Sequence, residues 1–288
     1  MKEIATNVFI ETGYPSVTVG AIITDEGVIC VDSPSHPADA QDWINRLRNK
    51  SGLPIRYLIL TDYHMDRIYS AHLFRTRIVT QEAARAKLRS YKPRIPASVL
   101  DSFALRYGLT RKELNNIPVV NPQISFCEKA TILLGGRKIT VMHVPSATHG
   151  SLWVRLEKEQ LVFTGDTLVI DQHPPLAEAD SKSWLDTLVH LRRERFRVKT
   201  IVPGRGSLCE KSASEPISDY VRLARRRVLK LFRAGRPRAD TTSLIPEFLP
   251  AFSAAAAPKE WLQKQIKMGL DHIYDEYKIE KRLSERAS

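Results

Sequence analysis

The sequence predicts an α/β sandwich with a helical C-terminal extension, on three observations. Short apolar segments rich in Val and Ile recur in two groups, within residues 5–60 and 123–202, with helical segments between and after them. In both groups a strand ends at a polar motif, which puts chemistry at strand ends. From Leu208 onward no strand pattern returns.

In chain order, Asn7–Glu11, Ser16–Thr24 and Gly27–Asp32 read as strands, separated by the turn segments Gly13-Tyr14-Pro15 and Asp25-Glu26-Gly27. The second turn joins two apolar runs and predicts a hairpin. Asp39–Lys50 has helical spacing, with Trp43, Ile44 and Leu47 on one face. Ile55–Leu60 is a strand running directly into Thr61-Asp62-Tyr63-His64-Met65-Asp66-Arg67. Residues 71–122 read as mostly helical and polar, broken at Pro93 and Pro96. Strands return in the runs ISF, ATILLGG and KITVMHV, with a Gly135-Gly136 turn. Residues 151–166 form a second hairpin around Glu157-Lys158-Glu159-Gln160. Asp180–Glu194 is a helix with Trp184, Leu188 and Leu191 facing inward and Leu185 beside them. Lys199–Val202 is a last strand, ending at Pro203-Gly204-Arg205-Gly206. The expected division is a sandwich over 1–207 and a helical extension over 208–288. That extension breaks at Gly235–Pro237 and Pro246–Pro250, and the alanine-rich Ala254–Pro258 is read as helix or linker.

Composition narrows the class. The 288 residues are 43% hydrophobic and 26% charged, ordinary values for a globular chain with a core. No apolar run reaches 18 residues, so a spanning helix is not expected. The N-terminus carries no apolar segment with a cleavage site, and a cytoplasmic location is expected. Cys30, Cys127 and Cys209 are odd in number and far apart, which argues against a disulfide framework or zinc ribbon. Cys30 lies in an apolar strand and reads as a small buried hydrophobe. The net charge of +12 attracts anions without specifying one.

Four polar motifs follow strands in order: Thr61–Arg67, Pro145-Ser146-Ala147-Thr148-His149-Gly150-Ser151, Phe163-Thr164-Gly165-Asp166-Thr167-Leu168, and Val202-Pro203-Gly204-Arg205-Gly206. Together they resemble the metallo-β-lactamase superfamily, whose motifs run T-H-x-H-x-D-H, P-G-H-T-x-G, T-G-D and P-G-H-G. The resemblance covers roughly residues 5–207 and implies the αββα sandwich of that family. It also implies its chemistry: His and Asp side chains on strand-end loops hold one or two metal ions, which acidify a water for attack on an ester, amide, thioester or phosphodiester.

The departures change that expectation. His64, Asp66 and Asp166 match family ligands, while Asp62, Ala147 and Arg205 stand where the family has His, and Arg67 where many members do. Arginine cannot give up its proton to coordinate an ion. A two-metal mechanism is therefore not expected. Two readings stay open. In one, Asp62, His64 and Asp166 hold a single Zn, Mn or Fe. Asp66 then orients or deprotonates a water, and Arg67 and Arg205 stabilise an oxyanion in place of the second ion. In the other no metal binds, the carboxylates pair with Arg67 and Arg205, and the protein binds an anionic ligand or serves as a scaffold. The absent signal and the replaced histidines argue against a penicillin-type β-lactamase.

Other residues carry weaker signals. His149 lies two residues from the lost ligand and His173 in the loop after T-G-D; either is a candidate extra ligand or substrate contact, against the reading of a loop histidine. His143, at a strand end, reads as structural. Tyr63 and Tyr69 either line the cleft or pack. Residues 217–232 form an amphipathic helix, with Ile217, Tyr220, Val221, Ala224, Val228 and Leu231 on one face. Eight basic residues fall within 222–238. They suggest either a nucleic-acid or anionic surface, and hence a nucleic-acid-processing relative, or a solvated face whose apolar stripe packs on the sandwich. The extension also offers a surface through which a homodimer could form. The leading expectation is a remodelled, single-metal hydrolase acting on an ester-like or anionic small molecule.

Overall fold

The computed structural model describes residues 1–110, 112–114, 117–253 and 257–287. Two sheets pack face to face. The first has seven strands in sequential order: β1 (Lys2–Ala5), β2 (Val8–Glu11), β3 (Val19–Thr24), β4 (Gly27–Val31), β5 (Ile55–Ile59), β6 (Arg77–Gln81) and β7 (Ile124–Phe126). β1 to β4 pair antiparallel and β4 to β7 parallel. The second sheet contains β8 (Lys129–Leu134), β9 (Arg137–His143), β10 (Leu152–Leu156), β11 (Leu161–Val169) and β12 (Thr200–Arg205), in the order β12-β11-β10-β9-β8. Its strands are antiparallel except for the parallel pair β11–β12.

Side-chain alternation sorts each strand between two apolar layers. Ile22, Ile29, Val31 and Ile59 point between the sheets, against Val141, Leu152, Val154 and Phe163. Their neighbours Ala21, Val28, Cys30 and Leu58 face outward, under Trp43, Ile44 and Leu47 of helix α1 (Pro37–Ser51). α1 starts on Pro37 and ends on Gly52 at φ 66, a left-handed cap that a residue without Cβ accepts freely. β4 and β5 are covered on both faces, as parallel strands between helices require.

Three further helices flank the first sheet: α2 (Met65–Ile68), α3 (Glu82–Ser90) and α4 (Ala97–Tyr107). β6 lies in the stretch the sequence assigns to helix. Its five residues, RIVTQ, are too short to show a period, and helices follow closely. β1 also escapes the sequence reading, because the KEIA edge strand is largely polar and exposed.

The second sheet's outer face carries α5 (Ser181–Arg192), α6 (Ser214–Arg233), α7 (Ile245–Phe248) and α8 (Lys259–Ala287). Asp180 caps α5, its carboxylate accepting from the Ser183 backbone N–H at 2.9 Å. Trp184, Leu188 and Leu191 of α5 share one apolar layer with Ile217, Val221 and Val228 of α6 and Leu262, Ile266 and Ile273 of α8. Each such side chain contributes roughly 1.5–3 kcal/mol on burial, so the stripes of α6 and α8 are ample to hold the extension against the sheet. The layers thus run helix, sheet, sheet, helix. Ala254–Pro258 falls mainly outside the described residues. All three cysteines are free, with Cys30 buried. Among the described residues no helix is long and apolar enough to cross a membrane.

Two backbone hydrogen bonds join the sheets where the polar motifs meet: Leu152 N–H to Thr61 C=O and Thr18 N–H to Gly204 C=O, both 2.9 Å. They bring the ends of β5 and β12 to one place.

Candidate metal and substrate site

The first motif leaves β5 and enters α2. There the Asp62 carboxylate accepts the His64 backbone N–H at 2.8 Å, an Asx-type turn that folds the loop back. His64 Nδ1 then lies 3.2 Å from Asp62 Oδ2 and 3.1 Å from Asp166 Oδ2, on β11. These three are the described side chains whose ligand atoms converge closely enough to hold a metal ion.

Arg67, 0% exposed, lies behind them. Its Nη2 is 2.6 Å from Asp166 Oδ1, its Nη1 3.1 Å from Oδ2, and its Nε 3.0 Å from Asp32 Oδ2. Asp32, just after β4, is itself anchored by the Thr61 N–H and hydroxyl at 2.8 and 2.7 Å. Arg205 approaches from β12. Its Nη2 is 2.8 Å from Asp166 Oδ2 and 2.7 Å from Asp66 Oδ2, and its Nη1 donates to Ser16 C=O at 2.9 Å. Asp66 is further held by Arg106 at 2.7 Å and the Tyr107 hydroxyl at 2.8 Å, both from α4. Gly204 makes this packing possible. A Cβ there would stand 2.4 Å from Asp166 Oδ1 and 2.5 Å from Arg67 Nη2.

The electrostatics follow from these distances. Burial alone would raise the Asp66 and Asp166 carboxyls, but the guanidiniums outweigh it and hold both well below the usual carboxylate range. Burial alone would lower the His64 imidazole, but Asp62 and Asp166 outweigh it and raise it to about 10. Burial and Asp66 push the Tyr107 phenol up to about 12. Four buried carboxylates (Asp32, Asp62, Asp66 and Asp166) therefore face three guanidiniums (Arg67, Arg106 and Arg205) and one imidazolium.

The donor set fits one ion and not two. Asp62 Oδ2 is buried, 3.2 Å from His64 Nδ1 and 3.5 Å from Arg67 Nη1 without a well-formed hydrogen bond to either, and it lies close enough to His64 Nδ1 and Asp166 Oδ2 to share an ion with them. Two carboxylates and an imidazole suit a divalent ion of the Zn, Mn or Fe type. At the second place Asp66 is saturated by Arg106, Arg205 and Tyr107, which leaves no room for another cation.

The cluster opens onto a cavity of about 480 Å³. His64, Asp66, Arg106, Arg205 and His173 line it, as does Tyr63. The roof comes from α4 and α8. Gly269 of α8 sits directly on the loop before α5, where a Cβ would meet the Leu176 Cβ at 2.6 Å. Of the residues singled out in the sequence, Asp62, His64, Asp66, Arg67, Asp166 and Arg205 converge. His149 is 62% exposed and its ring faces Asp180 at 3.8 Å, away from the cluster. His173 lies in the cavity wall, its Nδ1 3.3 Å from the Tyr220 hydroxyl. His143 bonds the His149 carbonyl at 2.8 Å, a structural contact. Tyr69 packs on Phe103. Asp32, Arg106 and Tyr107 join the site from outside the four motifs, and Gly204, inside the last of them, acts through its missing side chain. Asp32 shares the strand-end position of the other acids, a signal that finds it, whereas Arg106 and Tyr107 end a largely apolar helix with no polar motif around them.

The arginines of α6 and the segment after it are largely committed internally. Arg225 pairs with Glu276, Arg227 with Glu247, Arg236 with Asp240, and Arg238 with Asp271 and Asp275. The apolar stripe between them is buried, which favours the solvated-face reading of this charge over a nucleic-acid surface.

Comparison with known proteins agrees with the geometry. The family model described as "Metallo-beta-lactamase superfamily" matches residues 13–205, and the chain belongs to that superfamily. Among solved structures it is similar to a metallo-beta-lactamase family protein from Thermus thermophilus (17% identity, TM-score 0.69), covering 94% of this chain and 93% of that one. It is also similar to a metallo-beta-lactamase from Pontibacter korlensis (17% identity, TM-score 0.62), covering 77% of this chain and 97% of that one. At such identities the likeness is one of fold. No curated protein matches the sequence.

Proposed function

We propose that the protein is a hydrolase with a remodelled, single-ion site, acting on an ester-like or anionic small molecule. The observation that carries this reading is the convergence of Asp62 Oδ2, His64 Nδ1 and Asp166 Oδ2 within the reach of one ion, with His64 lining the cavity. Asp62, His64 and Asp166 would hold the ion. When bound there, a divalent ion supplies Lewis acidity and lowers the pKa of water. Arg205 reaches the cavity and offers positive charge to a developing oxyanion. Arg67 lies behind Asp166 and acts by fixing that carboxylate and adding to the field. Asp66 keeps Arg205 and Arg106 in place. Its depressed pKa suits orientation of a water better than removal of its proton.

The test is metal content per chain by mass spectrometry, together with hydrolysis of an ester, thioester, lactone and phosphodiester panel. About one ion per chain and hydrolysis that a chelator abolishes are expected, with both lost in Asp166→Asn. Hydrolysis unchanged by the chelator and by Asp166→Asn would overturn the assignment.

A second reading has its own observation. The four carboxylates are already neutralised by Arg67, Arg106, Arg205 and a protonated His64, which suits a metal-free anion-binding or scaffold member. It predicts no ion after incubation with Zn, Mn or Fe, and no turnover.

A further inference from the structure

The cavity is charged at one end and apolar over most of its wall. At the floor stand His64, Asp66 and Arg205; the sides and roof include Val99 and Phe103 of α4 and Trp261, Leu262, Ile266 and Met268 of α8. A purely ionic substrate would leave such a wall bare. The volume, about 480 Å³, lies within the range of small-molecule pockets. Between floor and roof sits Arg106, bound to Asp66 at 2.7 Å and with its guanidinium 4.5 Å from the Trp261 ring centre. Its side chain is 9% exposed, and it lines the cavity together with Arg205. Two guanidiniums beside the floor offer positive charge that a bound carboxylate or carbonyl oxygen would meet.

We propose that the ligand of this site is an acyl compound, with its apolar chain against α4 and α8 and its carbonyl or carboxylate oxygen toward the guanidiniums of Arg106 and Arg205. This rests on the reading of the site as a hydrolase only for the fate of the acyl bond; binding of the chain and head group does not depend on an ion or on turnover. The α8 residues of the roof lie beyond residue 205, where the family match ends, so the extension supplies part of the chain-binding wall.

Tryptophan fluorescence provides the test. Trp43, Trp153 and Trp184 are fully buried in the core, whereas Trp261 lies in the cavity wall and is partly exposed. Titration of the unaltered protein with decanoate should change its fluorescence saturably, and Trp261→Phe should remove that change. Butyrate should bind at least about 100-fold more weakly, since six fewer methylenes are buried. Arg106→Gln removes one of the two cations beside the floor, while Asp66 keeps Arg205 and Tyr107. It should weaken decanoate binding about tenfold and leave decanol binding unchanged. Equal affinity for butyrate and decanoate, or no saturable signal from either, would overturn the proposal. Decanoate binding without hydrolysis of decanoyl esters under any added ion would instead sink the hydrolase reading and leave the ligand class standing. Hydrolysis confined to short esters, with no decanoate binding, would do the reverse.

Discussion

The two ends of the carboxylate array differ in what neutralises them. At one end Asp62, His64 and Asp166 converge, and Asp62 Oδ2 stands 3.2 Å from His64 and 3.5 Å from Arg67 without a well-formed hydrogen bond to either. At the other, Asp66 is taken up by two guanidiniums and a phenol. Histidine and arginine differ here in one respect that matters: an imidazole nitrogen can exchange its proton for a metal, and a guanidinium cannot. Replacing histidine by Arg205 therefore turns a place for an exchangeable cation into a permanent one, while the first place stays open to exchange.

The largest expected effect comes from the residue both ends share. Asp166→Asn leaves Arg67 and Arg205 buried with half their partners, at a cost of about 3–5 kcal/mol in urea unfolding, and loses the ion as well. Asp66→Asn separates the ends: it should destabilise the fold while leaving the metal content per chain unchanged. Retention of the ion by Asp166→Asn would erase the distinction between them. Next is Gly204→Ala, whose methyl would push Asp166 and Arg67 apart. A loss of about 1–3 kcal/mol is expected, with no contact to the cavity changed.

The pH dependence sharpens the same contrast. In the metal-free protein the His64 pKa is raised, so its contribution to stability is fully present below about pH 6.5 and lost as pH rises to about 10. His64→Gln should flatten that alkaline limb. Asp66 and Asp166 have depressed pKa values, so their contribution is present above about pH 4 and lost only as pH falls through the lower folded values. Uptake of an ion at pH 8 should then release about one proton, measurable in weakly buffered calorimetry. The smallest effect is expected at Arg227→Ala. That arginine is exposed and, among the described residues, paired with Glu247, and no change in the urea midpoint should be detectable.

The six residues that converge were legible because each lies in a short motif at the end of a strand, and strand ends on one edge of a sandwich must meet. The sandwich itself was legible from alternation, apart from β1 and β6, whose polar edge and brevity hide their period. The partners of Asp66 were not legible. Arg106 and Tyr107 reach it from a helix forty residues away in sequence, and nothing in their neighbours distinguishes them from a solvated face. The same holds for the roof. Trp261, Leu262 and Ile266 read as part of a helical extension, and only its docking shows that they line the cavity. His149, two residues along a turn from Ala147, carries its ring to the outside beside Asp180.

Gly269 gives the roof an adjustable height. α8 rests on Leu176 with no side chain between them, so the depth of the cleft at that point is set by a missing methyl group. Alanine there would act as a shim, lifting the helix from the loop without touching any charged residue of the floor. That one exchange should change the length of ligand the cleft accepts, while the ionic floor stays as it is.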